Sequence, residues 1–252
     1  MKSITSRTNP EIKHLASLHT KKHRTKHSQF IAEGIRACST LIKHGHMPYA
    51  LYITERNLPA AQAIVDDSQI VLVGDHVMEK LSTATTPSGV VGLFSIPKSP
   101  SPDQLANGLV LARIADPGNT GTLMRTAAAL NAKSVVLIEG ADPWSPKVVQ
   151  ASAGTIGMLT IFQWSWEQLI AHKGNKKLHA LIVSGGKTPQ KLPWENALLV
   201  VGSEAHGISQ EWVDASDETV TLPMPGGTES FNAAVAGSIA LYLASIKATP
   251  TR

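Results

Sequence analysis

The chain has 252 residues, 42% of them apolar and 17% charged, which suits one or two folded cores and argues against a disordered chain. The single cysteine, Cys38, rules out an internal disulfide, and the opening run Met1 to Arg7 lacks the apolar segment of a signal peptide, so a reducing, cytoplasmic setting is expected. The net charge of +4 is uneven: residues 1–100 hold 12 Lys/Arg against 7 Asp/Glu, and residues 101–252 hold 11 against 12, so an anionic partner is expected to meet the first part of the chain.

Asn9-Pro10-Glu11 has the form of a helix start, with Ile12, Leu15 and Leu18 following at helical spacing. A short strand is predicted at 30–32, a helix at 35–44 stopped by Gly45, a strand at 51–53, a helix at 60–65, and strands at 70–73 and 90–96. This alternation predicts a small α/β domain over 1–97. Three prolines between Pro97 and Pro102 mark a stiff linker, taken as 98–107. Over 108–252 apolar runs at 109–114, 134–138, 159–162, 179–183, 197–201 and 219–222 predict a mostly parallel sheet covered by helices, notably at 120–130 and 232–247. The stretch 231–246 is free of charge but too short and too rich in small residues for a membrane span.

Three segments place polar residues where strands end. Asp116-Pro117-Gly118-Asn119 leads into a helix that carries Arg125 among apolar neighbours, with Asn119 or Thr120 as its expected cap. A second strand runs into Gly202-Ser203-Glu204-Ala205-His206-Gly207. The third segment, Leu222-Pro223-Met224 through Ser230-Phe231-Asn232, ends in a helix whose N-terminus suits a polar or anionic ligand, with Ser230 or Asn232 as cap. No metal is expected, because His206 has no second His or Cys at ligand spacing. Ser184-Gly185-Gly186-Lys187-Thr188 is not a phosphate loop: Leu181 stands where a glycine is needed, and Pro189 where a helix should begin. No Gly-x-Gly-x-x-Gly follows a strand. Near the N-terminus, Lys13, Lys21, Lys22, Arg24 and Lys26 gather with four histidines, and Glu11 is the only acid before Glu33, a one-sided charge that fits contact with RNA phosphates.

In order and spacing the three segments closely resemble the signature motifs of the SpoU (TrmH) branch of the SPOUT RNA methyltransferases: an Asn…Arg pair, then Gly-x-Glu-x-x-Gly, then Pro-Met with Ser-x-Asn. Weaker likenesses to the family's substrate-binding domain lie in Pro10 to Lys13, Phe30 to Gly34 and Thr86 to Val91. The resemblance implies an α/β RNA-binding domain joined to an α/β-knot (trefoil knot) methyltransferase domain that acts as a homodimer on ribosomal or transfer RNA. It implies methyl transfer from S-adenosyl-L-methionine to a ribose 2′-hydroxyl, with large-subunit ribosomal RNA favoured. Rival readings are a base-nitrogen methyltransferase and an RNA-binding protein of the same fold without catalysis. By the same resemblance Gly202, Leu222 and Phe231, with Met224, Ser184 and Gly185 as weaker additions, bind the cofactor, and Asn119, Arg125, Glu204, Ser230 and Asn232 form the catalytic set. Arginine stays protonated in proteins, so Arg125 reads as a phosphate clamp rather than a base. Glu204 is then the proton acceptor, or the group that holds Asn119 and Arg125. Ala236, Ala240 and Ala244 form a small-residue stripe that would let another helix approach, and a helix buried within the chain would look the same.

Overall fold

The computed structural model describes residues 1–227 and 229–246, so Thr228 of the third segment and Lys247 at the end of the expected last helix lie outside the described residues. The chain divides into two units: Met1–Lys98 with Asp142–Met158, and Ser99–Ala141 with the remainder from Leu159.

In the first unit the chain runs β1 (Lys2–Ile4), α1 (Pro10–Ser17), α2 (Lys21–His27), β2 (Gln29–Glu33), α3 (Ile35–Lys43), β3 (Ala50–Ile53), α4 (Leu58–Gln62), β4 (Ile70–Val73), α5 (Asp75–Leu81) and β5 (Val90–Ser95). The sheet order is β1-β4-β3-β5-β2, with β1, β4 and β3 parallel and β5 antiparallel to both its neighbours. Ile12 and Leu15 of α1 and Val77, Met78 and Leu81 of α5 bury one face of this sheet against Ile31, Tyr52, Val71 and Leu93. The Asn9 side chain caps α1 by accepting from the Glu11 N–H, as its sequence suggests. Burial pushes the Cys38 thiol up to about 12, so this cysteine serves as packing.

The second unit begins with β6 (Gly108–Ala112), α6 (Pro117–Ala129) and β7 (Ser134–Ile138). The chain then contributes α7 (Pro146–Ala151) to the first unit, where it packs on β2, and Trp144 lies 5.0 Å from Phe30 between ring centroids. It resumes with β8 (Thr160–Gln163), α8 (Trp166–His172), β9 (Lys177–Leu181), β10 (Ala197–Gly202), α9 (Gln210–Asp214), β11 (Glu218–Val220) and α10 (Ala233–Ser245). The described strands form one wholly parallel sheet in the order β11-β9-β10-β6-β7-β8. One face packs Val110, Val136, Leu198 and Val200 against Trp166, Leu169 and Trp212. α6 and α10 pack on each other, and α10 also packs on β10. A Cβ on Gly237 of α10 would stand 2.6 Å from Leu123 and 3.0 Å from Val201, so glycine sets how closely this helix lies. β6 ends two residues earlier than the apolar run suggests, because Arg113 turns into the left-handed region (φ 59°).

Of the two readings of the small stripe, the intrachain one holds at Ala240 and Ala244. Ala240 and Ala244 are buried within their own chain, and the exposed side of α10 carries Val235, Ile239, Tyr242 and Ile246. A helix of small residues reads alike whether its partner is the same chain or another copy, and here it is the same chain.

Candidate active site

β6 and β10 are neighbours in the sheet, and the chain leaves them in opposite directions along it: β7 and β8 lie beyond β6, β9 and β11 beyond β10. Ligands bind in such a sheet outside the carboxyl ends of the strands at this kind of reversal. The three polar segments meet there.

α6 starts at Pro117, and its cap is Asp116, whose Oδ1 accepts from the Asn119 N–H at 2.7 Å; this replaces Asn119 and Thr120 as the expected cap. The Asn119 side chain is thereby free for other bonds. Asn232 caps α10: its Oδ1 accepts from the N–H groups of Ala234 (2.9 Å) and Val235 (3.2 Å). With Oδ1 so engaged, Asn232 can offer only its amide N–H, and Nδ2 donates to Asn119 Oδ1 at 3.3 Å. Asn119 must then turn its own Nδ2 outward, where it donates to Glu204 Oε1. Asn232, Asn119 and Glu204 thus form a relay with one sense, anchored at a helix cap and ending on a carboxylate.

Glu204 sits in a loop that folds sharply back. The Gly207 N–H donates to Ser203 O at 2.9 Å, and Gly207 has φ 64°. A Cβ on Gly202 would lie 2.3 Å from the Gly207 carbonyl carbon and 2.5 Å from the Ile208 nitrogen, so no side chain fits without moving this loop. His206 is exposed, and its backbone N–H donates to Ser203 Oγ at 3.3 Å. Among the described residues no group of three His, Cys, Asp or Glu could hold a metal ion.

A cavity of about 170 Å³ opens beside the relay. Gly202, Glu204, Leu222, Met224, Ser230 and Phe231, all singled out from sequence, line it. So do Leu181, Ile182, Val183, Val201, Ser203, Gly207, Ala233 and Ala236, to which the sequence alone gave no site role. Gly207 belongs to the second motif and could have been found there; the strand-end residues 181–183 carry no polar mark. Ser184 and Gly185 lie exposed in the turn beyond Val183, outside the lining. Arg125 is not joined to the relay. It follows Asn119 by six residues, about 240° around the helix, and its exposed side chain makes no hydrogen bond or ion pair with the described residues.

Below the cavity, β9 and β11 are tied by charge. Asp217 accepts from Lys177 Nζ at 2.8 Å and from the Leu178 N–H at 2.9 Å; partial burial would raise its pKa, but these bonds and Lys173 hold it down at about 2. Lys187 Nζ donates to Glu218 at 2.6 Å, while its backbone pairs with Thr219 and Thr221.

Among the expected RNA contacts, Lys13, Lys21, Lys22 and Lys26 are exposed, but Arg24 is not. Arg24 is 3% exposed; its Nε donates to Asp142 Oδ2 at 3.1 Å and its Nη1 to Leu18 O at 2.7 Å. It is an internal anchor for the segment that begins at Asp142, so the assignment of Arg24 to RNA is corrected. A charge run read without knowledge of helix faces cannot separate the inward residue from its neighbours.

A family model described as SpoU rRNA Methylase family matches residues 107–242, and one described as MRM3-like substrate binding domain matches residues 9–92. The chain is 32% identical to an uncharacterized tRNA/rRNA methyltransferase of Synechocystis, over 95% of this chain and 92% of that one. It is 27% identical to the 23S rRNA (guanosine(2553)-2′-O)-methyltransferase of Bacillus subtilis, over 96% and 98%. The crystal structure of an AdoMet-bound rRNA methyltransferase from Sinorhizobium meliloti superposes with a TM-score of 0.86 at 27% identity, covering 99% of each chain.

Proposed function

The chain belongs to the SpoU rRNA methylase family, and we propose that it moves a methyl group from S-adenosyl-L-methionine to a ribose 2′-hydroxyl of large-subunit ribosomal RNA in the cytosol. The observation that carries this reading is the one-way relay from Asn232 through Asn119 to Glu204 at the rim of the cavity. The donor supplies a methyl carbon activated by sulfonium charge. The residues present fit it: Leu181, Val201, Leu222 and Phe231 offer apolar walls for a flat ring, in a cleft formed at strand ends.

Glu204, at the cavity rim, is the proton acceptor for the attacking hydroxyl. Asn119 fixes the carboxylate by donating to one oxygen, which leaves the other free to accept. Asn232 fixes the entrance to α10 as its cap, and Ser230 forms part of the cavity wall. Arg125, which has no partner among the described residues, clamps the phosphate next to the target ribose. Alignment of oxygen and methyl at about 3–3.5 Å supplies much of the rate gain.

Two further features belong to the same proposal. A trefoil knot lies in the C-terminal part of the second unit. The protein works as a homodimer that covers the exposed apolar side of α10, Val235, Ile239, Tyr242 and Ile246. The test of function is a map of 2′-O-methylation in ribosomal and transfer RNA from a strain lacking the gene. A lost ribosomal 2′-O-methyl restored by the purified enzyme supports the reading; loss confined to transfer RNA moves the substrate, and loss of a base methyl overturns the chemistry.

A further inference from the structure

The first turn of α2 is built against the ordinary rules for a helix, although the cations of its last turn are not. Its first turn holds Lys21 and Lys22 and no acid, and Thr20 makes no side-chain cap bond. Cations at a helix N-terminus oppose the helix dipole, so this element is locally disfavoured and needs compensation from elsewhere. Beside the Lys22–Lys26 pair, one turn apart, runs a second pair, His23 and His27. Their rings are parallel within 13°, with centroids 6.2 Å apart. His27 also meets His14 of α1 edge-on at 4.7 Å. His14 Nε2 lies 2.7 Å from Gln29 Oε1 of β2, a contact that fixes the His14 ring beside His27. Among the described residues the nearby acids are engaged elsewhere: Glu11 is held by Lys2 and by Tyr52 Oη, and Asp142 by Arg24 on the inner side.

We propose that His14, His23 and His27, with the lysines around them, form a docking face for the phosphodiester backbone of the RNA, and that docking places a proton on His27, the ring that meets both of the others. This rests on the reading of the chain as an RNA methyltransferase. The groups that face His27 are His14 from α1 and His23 and Lys26 from α2, with the neutral Gln29 of β2 bonded to His14. In the free protein His27 is held below the ordinary histidine pKa by desolvation and then by the positive charges of His14, Lys26 and His23. Phosphates laid against the array favour the charged form instead. The complex therefore binds more protons than the free protein, and affinity falls as pH rises through the histidine range.

The test is equilibrium binding of a transcribed 23S ribosomal RNA at fixed salt from about pH 5.5 to about 8.5, with methyl transfer from labelled S-adenosylmethionine measured on the same RNA. Affinity is expected to fall by up to about tenfold per pH unit for each proton taken up. His23→Gln with His27→Gln should flatten that slope and weaken binding at low pH, with helix content and S-adenosylmethionine affinity unchanged. A flat profile in the unaltered protein, or the full slope kept in the double variant, overturns the proposal. So does a Lys21→Gln, Lys22→Gln, Lys26→Gln variant that keeps both affinity and salt dependence. An RNA that binds but accepts no methyl group, with transfer RNA equally inert, would instead overturn the methyltransferase reading.

Discussion

Asn119 matters through the direction of its amide. Asn232 spends its oxygen on the cap of α10, so Asn119 can meet it only with its own oxygen and must give its nitrogen to Glu204. Asn119→Asp cannot donate and sets a second carboxylate against Glu204, so kcat is expected to fall about 10²-fold or more, with S-adenosylmethionine affinity nearly unchanged. Single-turnover rates beside calorimetric binding check this; an equal loss in both would make Asn119 a cofactor ligand. Arg24 shows the opposite case, an ionic group whose work is structural. Arg24→Ala leaves Asp142 largely buried without its partner and is expected to cost about 3–5 kcal/mol in denaturant unfolding. The salt dependence of RNA binding should not change. The sequence marked Asn119, Glu204 and Asn232 by their place after apolar runs, but not the order of donation among them, because that order follows from which oxygen a helix cap consumes. Arg24 was misplaced for a similar reason: it reads like its neighbours until the helix shows which way it points.

The secondary structure elements are legible where apolar periodicity is strong, as in β7 and α10, and are not where a short helix is held by tertiary contacts, as in the polar α2 and in α7, too short to show a period. α10 also shows what periodicity leaves open, since both of its sides are apolar or small. Ala240→Glu forces a charge into a packed interior and is expected to unfold the second unit, whereas Tyr242→Glu, at 54% exposure, should change stability by less than about 1 kcal/mol. If the exposed side is the dimer contact, Tyr242→Glu gives a folded monomer by light scattering; an unchanged dimer places the contact elsewhere. The edge made by β9 and β11 should show a pH dependence of its own. Asp217 is held at about 2, below its unfolded value, so its contribution is fully present above about pH 5 and is lost as pH falls toward about 1. Asp217→Asn should lower stability at neutral pH and flatten the acid limb of the unfolding curve, with no change in RNA affinity.

At the scale of the whole molecule, the proline-rich linker suggests two pieces that could be cut apart between Lys98 and Ser99. The chain does not allow this. Between β7 and β8 it leaves the second unit, and Asp142–Met158 joins the first. There Trp144 lies against Phe30, Val148 and Val149 are fully buried, and Asp142 receives Arg24. Nothing in the residues 142–158 announces this, because their apolar pattern is that of an ordinary short helix. A fragment of residues 99–252 would carry that segment with its apolar side bare, and a fragment of residues 1–98 would lack the wall over Phe30 and the counter-charge of Arg24. Both are therefore expected to be less stable than the intact chain and to bind a hydrophobic dye, an outcome of exposed core surface rather than of lost catalysis. Replacing 142–158 by a short Gly/Ser bridge in the 99–252 fragment should remove the dye signal and restore a cooperative thermal transition, since the wholly parallel sheet keeps every described strand of its own. A 99–252 fragment that is cooperative and dye-negative without that repair would mean that 142–158 can find a second resting place, and that the two units are independent after all.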